Sequence, residues 1–200
     1  MSAPAGNAAR AAREVRATQD RSVTPTRAIL LGLVLVLPPT AGLVWLHAAR
    51  HGALGIWTAL DALAARPLVG LVVVLGGAAV HEVIHALAWA ATPTGAWRHV
   101  HFGWQWRSLV PYAHYAAPLP ATAYRIGAAA PLVVLGILPA LVGTFAGVGA
   151  LAAFGWLFVL GAAGDVAVLW LLRGVPGGAQ VEDHPSRAGC LVREEASSRP

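Results

Sequence analysis

The sequence predicts an all-α integral membrane protein of about four transmembrane helices, with a short β-hairpin-like cytoplasmic or interfacial segment between the second and third. Three observations lead there. Hydrophobic residues make up 57% of the 200 and charged residues only 12%, against roughly a quarter charged in a soluble domain. Apolar runs recur that match the ~20 residues needed to cross a bilayer core. Of the nine acidic residues, only Glu82 and Asp165 fall inside those runs.

Residues 1–27 are polar and carry Arg10, Arg13, Arg16, Arg21 and Arg27, which suggests a disordered cytoplasmic arm. A signal peptide is the competing reading, but the apolar run 28–47 exceeds a typical h-region and the arm before it is long. It is therefore the first span, with a kink expected at Pro38-Pro39. The second span is 67–91, with Pro67 suited to a helix start. The stretch from Ile126 to Leu172 is too long for one crossing, so it divides into spans 126–147 and 149–172 at Gly147-Val148-Gly149. Residues 28–172 thus form the membrane domain and 173–200 a cytoplasmic tail. Between spans two and three, Val100, Phe102, Trp104 and Trp106 alternate with His99, His101, Gln105 and Arg107. Period-two alternation marks a strand, and Pro111 and Pro118 break the chain beyond it; an aromatic interfacial belt is the alternative.

All of the net charge of +5 comes from arginine, because the chain has no lysine. The arginines are scattered, without a basic helix or an aromatic-basic module, which argues against nucleic-acid binding. They concentrate in the arm, in the segment 92–125 and in the tail, whereas residues 48–66 hold only Arg50 and Arg66. By the positive-inside rule, both termini and the 92–125 segment lie in the cytoplasm of a multi-pass protein. Cys190 is the single cysteine, so an internal disulfide and a thiolate metal cage are excluded. Gly143 and Gly147 form a GxxxG that could serve a homo-oligomeric contact in the bilayer.

An ionisable group in a span costs about 2.5–3.5 kcal/mol on insertion scales, so each is a functional candidate. His81-Glu82-Val83-Ile84-His85 is an HExxH motif inside the second span. Histidines four apart project from one helix face about 6 Å apart along the axis, where both can bind one tetrahedral Zn2+. Glu82, one step round, can take a proton from an attacking water without being a ligand. A pair of histidines satisfied by neighbouring helices is the structural alternative. The third ligand is not the metzincin histidine, since Ala88 and Ala91 occupy the positions of that motif's Gly and His. Nor does any glutamate lie between Glu82 and Glu182. Asp165 remains, unless it pairs with a loop arginine. With spans two and four both running inward, His85 lies roughly 9 Å and Asp165 roughly 10 Å from the cytoplasmic ends. Gly161 and Gly164 would permit the close approach of the two helices. His114 is the alternative ligand or a substrate contact; Asp183 and His184 are weaker candidates.

The order HEVIHALAW, PYAHYAAPLPATAYRIGAAAP, GAAGDVAVLWLL, VEDHPSRAGC resembles the bacterial family of small membrane proteins described as putative zincin peptidases, over about residues 67–192. It is similar, more broadly, to site-2 protease metalloenzymes, which place HExxH on one membrane helix and an aspartate ligand on another. That resemblance implies His81, His85 and Asp165 as ligands and Glu82 as the base, in a bacterial cell membrane. The match departs at the aspartate, where site-2 proteases usually have Leu-Asp-Gly and this chain has Gly164-Asp165-Val166. The expected activity is a zinc endopeptidase acting on a membrane protein or peptide substrate. A non-catalytic metal-binding protein or a pseudoprotease that binds partner helices is the alternative. A substrate strand is expected to pair with the edge of the 98–107 segment.

Overall fold

A computed structural model of the chain describes residues 18–105 and 110–193. The first strand, β1 (Thr18–Val23), leads into helix α1 (Pro25–His51). Thr24 caps that helix by accepting from the Arg27 amide, and Pro25 occupies its first turn, where a missing N–H costs nothing. The helix runs on through Pro38 and Pro39 and ends at Gly52 with φ 76°. A short helix, α2 (Leu54–Ala64), precedes α3 (Pro67–Ala90). A 3₁₀ turn at Trp97–His99 opens β2 (Val100–Gln105), followed by β3 (Val110–Tyr115) and β4 (Leu119–Pro120). A long helical run then comprises α4 (Ala121–Pro131), a π-helical stretch (Leu132–Ile137) and α5 (Leu138–Ala146). It stops at Gly147, whose φ of 73° is left-handed and costs glycine nothing. Helices α6 (Gly149–Gly161) and α7 (Ala163–Leu171) and strands β5 (Gln180–Asp183) and β6 (Ala188–Arg193) complete the chain.

Three helices, Pro25–His51, Pro67–Ala90 and Ala121–Ala146, are long and apolar enough to cross a membrane; α6 and α7, bent by 46°, would make a fourth if taken as one broken span. Val34, Leu68 and Val72 on these helices are each more than two-thirds exposed, the composition of a surface suited to lipid rather than water. The expected division at Gly147-Val148-Gly149 is present. Both glycines of the GxxxG are used within the chain: a Cβ on Gly143 would lie 2.2 Å from Ala152 N, and Gly147 is the turn.

The hairpin between the second and third long helices is present as antiparallel β2–β3, with Val100 opposite Tyr115 and Trp104 opposite Pro111. Pro111 is tolerated because a two-stranded ribbon leaves each strand one unladdered edge. Trp106 and Arg107 lie outside the described residues. A second sheet, ordered β1-β6-β5-β4 with all neighbours antiparallel, corrects one expectation. Residues 18–23, read as part of a disordered arm, pair with 188–193. Within the tail, Gln180–Asp183 and Ala188–Arg193 are strands. The strand 18–23 shows no period-two alternation because it is short and mostly polar. The sheet packs into the main core with Trp89, Tyr115, Leu119, Tyr124, Leu172 and Val181. Cys190 is in that core, and burial pushes its thiol up to about 12.

Candidate metal centre

Helix α3 carries His81, His85 and Trp89 at successive four-residue steps, so one stripe holds all three; all are buried. Asp165 arrives from the first turn of α7, where the positive end of the helix dipole favours a carboxylate. The chain bends by 46° between α6 and α7, and Asp165 lies just beyond that bend. His81 Nε2 lies 3.0 Å from Asp165 Oδ2, His85 Nε2 lies 3.3 Å from Oδ1, and the two Nε2 atoms are 3.1 Å apart. One ligand atom from each residue falls within 4.8 Å of the others.

The donor set fits zinc. Ligands bonded at about 2.0–2.1 Å in a tetrahedron stand about 3.3 Å from one another; the two Nε2 atoms are 3.1 Å apart, and one atom from each of the three residues lies within 4.8 Å of the others. His85 Nδ1 is 2.8 Å from the Gly127 carbonyl, so Nδ1 carries a proton and Nε2 is the nitrogen turned to the site. His85 Nε2 faces Asp165 and the Nε2 of His81, where a bound cation would meet all three residues. Trp89 stacks on His85 at 5.1 Å and 12° and donates its own N–H to Tyr124 O. Together they fix the ring's plane.

Glu82 points to the side of the pair. Its Oε2 accepts the Ala113 N–H of β3 at 2.5 Å, so the hairpin edge holds the carboxylate while leaving its other oxygen free of that bond. The approach of α4 depends on Gly127, where a Cβ would fall 2.0 Å from Trp89 Nε1. The approach of α7 to α1 depends on Gly32, where a Cβ would lie 1.8 Å from Ala163 O. Gly77 similarly admits Phe158 against α3. The two glycines assigned this role in the sequence, Gly161 and Gly164, do not perform it, because a Cβ on either meets open space. They lie on the side of α6 and α7 away from the packing.

His114, Asp183 and His184 are not part of the three-residue cluster. His114 Nδ1 pairs with Asp183 Oδ2 at 2.6 Å, and that hydrogen bond raises the imidazole above its ordinary value. Asp183 Oδ1 also accepts from Tyr124 O–H at 2.5 Å. His184 Nδ1 accepts from the amides of Ser186 and Arg187, a turn contact. Sequence reasoning missed Trp89, although its place four residues after His85 was a readable signal. It also missed the Ala113 N–H and the Gly127 carbonyl, for which no sequence signal exists.

Residues 74–180 match a protein family described as putative zincin peptidase. The match spans more than half of the chain and takes in His81, Glu82, His85, His114 and Asp165. Neither a curated protein nor a solved structure matches the chain significantly.

Proposed function

Because the chain belongs to the putative zincin peptidase family, we propose that it is a zinc-dependent endopeptidase hydrolysing peptide bonds of membrane proteins or peptides at or within the membrane. The observation that carries this reading is the convergence of His81, His85 and Asp165 from helices 84 residues apart, with Glu82 beside them. The three would hold Zn2+, which when bound supplies Lewis-acid polarisation of a carbonyl and lowers the pKa of water.

The chain's own residues account for the rest. Glu82 takes the proton of the attacking water and returns it to the leaving amine. The Ala113 N–H keeps the carboxylate aimed, and Gly127 with Trp89 keeps His85 in one tautomer and plane. An aspartate on a separate helix is the arrangement behind the site-2 protease resemblance, and it supports cleavage within the bilayer. The arginine distribution supports a cell-membrane location with both termini cytoplasmic.

The hairpin also supports a docking mode for an extended substrate. Phe102 faces Ala113 across the hairpin, yet the Ala113 N–H goes to Glu82. The edge beside the carboxylate is that of β3, but its Ala113 N–H is engaged by Glu82 and Pro111 has none, so an extended substrate pairs along the 98–107 segment.

The deciding experiment compares wild type, Asp165→Ala and Glu82→Gln, purified and reconstituted, for zinc content and for cleavage of a panel of transmembrane peptides. Wild type should hold one zinc and cleave, and Asp165→Ala should lose both properties. Glu82→Gln should keep zinc and lose about 10²–10⁴-fold in rate. A Gln variant that retains zinc and cleaves like wild type sinks the peptidase reading; a wild type that holds zinc and cleaves nothing favours a metal-binding or pseudoprotease role.

A further inference from the structure

Beside the metal centre lies a second polar constellation that the reaction as described does not use. Asp183, at the end of β5, has a side chain only 19% exposed and both oxygens engaged, one by His114 and one by the hydroxyl of buried Tyr124. The three residues come from β5, β3 and α4, so the fold assembles them from segments 59 and 69 residues apart. A purely structural anchor would be complete with the buried Tyr124–Asp183 bond. His114 instead keeps its side chain 40% exposed while its Nδ1 is fixed by the carboxylate. Its Nε2 is left as the working nitrogen, the arrangement of an imidazole that exchanges or donates a proton.

Its supports are shared with the metal centre. The residue before it, Ala113, holds Glu82. Tyr124 accepts the Trp89 N–H at its carbonyl and lies one turn before Gly127, which orients His85. Amide hydrolysis develops negative charge on the carbonyl oxygen, and a preorganised donor aimed at that charge accelerates the step. We infer that His114 is a catalytic residue whose Nε2–H donates to the scissile carbonyl oxygen as it becomes an oxyanion, with Asp183 and Tyr124 as positioning residues. This rests on the peptidase reading above and names a role that reading leaves open. No bond is made to His114, and no proton needs to leave it.

Asp183 raises the affinity of His114 for its proton and so enriches the donating form at neutral pH. The other titratable groups around it are Tyr124 on α4, His101 directly across the hairpin, Glu82 on α3 through Ala113, and Cys190, which faces Asp183 from β6.

The test uses the full zinc-loaded chain in detergent micelles and two probes. One is an N-acylated phosphinic dipeptide, whose tetrahedral anion mimics the oxyanion; the other is acetohydroxamate, a small zinc chelator. In H114Q, phosphinate binding should weaken by about 100-fold while acetohydroxamate binding and zinc content stay within twofold. Wild-type phosphinate affinity should fall as pH rises through the titration of His114. D183N should move that fall to lower pH, and H114Q should abolish it. Equal phosphinate affinity in H114Q and wild type overturns the assignment, as does a D183N profile that matches wild type. A parallel loss of both probes with a lowered melting point would make His114 structural and also overturn it. If neither probe binds zinc-loaded wild type, the peptidase reading itself falls and takes this role with it.

Discussion

Gly32→Ala should damage the metal centre from a position that touches none of its ligands. A Cβ at residue 32 would lie 1.8 Å from Ala163 O, 2.4 Å from Ala163 C and 2.9 Å from Ala163 Cα. All three are backbone atoms, so no side chain can swing aside. Restoring van der Waals distance requires α1 and the start of α7 to part by on the order of 1.5 Å. Asp165 lies two residues beyond Ala163 on the same short helix, so its carboxylate moves with the contact. Metal bonds tolerate only about 0.2 Å, and disturbing a ligand's support costs about 10–100-fold in affinity. Overpacking adds about 1–3 kcal/mol of destabilisation. The matched control is Gly42→Ala on the same helix, where a Cβ meets nothing within 4 Å and alanine should stabilise by about 0.5–1 kcal/mol. Zinc affinity, measured by competition with a chromogenic chelator, and thermal midpoint in one detergent would be read for both variants. Should Gly32→Ala bind zinc as tightly as Gly42→Ala, the claim that α1 positions Asp165 through this contact is wrong.

Three further outcomes can be checked. His47 Nδ1 is buried without a hydrogen-bond partner, as are Thr144 Oγ1 and Trp156 Nε1. His47→Leu should therefore leave stability unchanged or raise it, by about 1 kcal/mol at most, read as the melting midpoint; a marked fall would reveal a partner for that nitrogen. Because Asp183 raises His114 in the folded state, the pair stabilises fully below the unfolded histidine value of about 6.5. That contribution is lost as pH rises through the higher folded value, so Asp183→Asn should flatten the pH dependence of the melting point on that flank, and an unchanged slope would exclude the pair as its source. Cys190, buried and pushed up to about 12, should resist a maleimide in the native protein and react after denaturation; rapid native labelling would contradict its burial between β5 and β1.

What was legible in the sequence was local or forced by hydropathy. His81, Glu82 and His85 declare themselves by spacing, and Asp165 by being the other acid within an apolar run. The hairpin followed from alternation at 100–105, and the break at Gly147 from the length of the run. What stayed hidden depends on pairings far apart in the chain. Strand β1 meets β6 across 165 or more residues, and neither segment has a pattern that names its partner. Glycine roles were equally opaque. Gly161 and Gly164 are close to Asp165 in sequence, but Gly32 is close to it in space, and only the packed helices distinguish them.

The same separation explains why the site cannot be an accident of one helix. HExxH on α3 supplies two nitrogens and a carboxylate wherever that helix is found, because the spacing is intrinsic to the helix. The position of Asp165 is set by α1 against α7. The tautomer of His85 is set by α4, and the aim of Glu82 by β3. Each of these is a close approach that a single added methyl group would block or a single lost N–H would weaken: Gly32 against Ala163, Gly127 against Trp89, Ala113 against Glu82. Burying two histidines and two carboxylates in an apolar bundle is costly unless each is paired or coordinated. A chain that needed only packing there would do better with leucine, and the proposal that His81, His85 and Asp165 hold a metal, with Glu82 beside it, accounts for their placement.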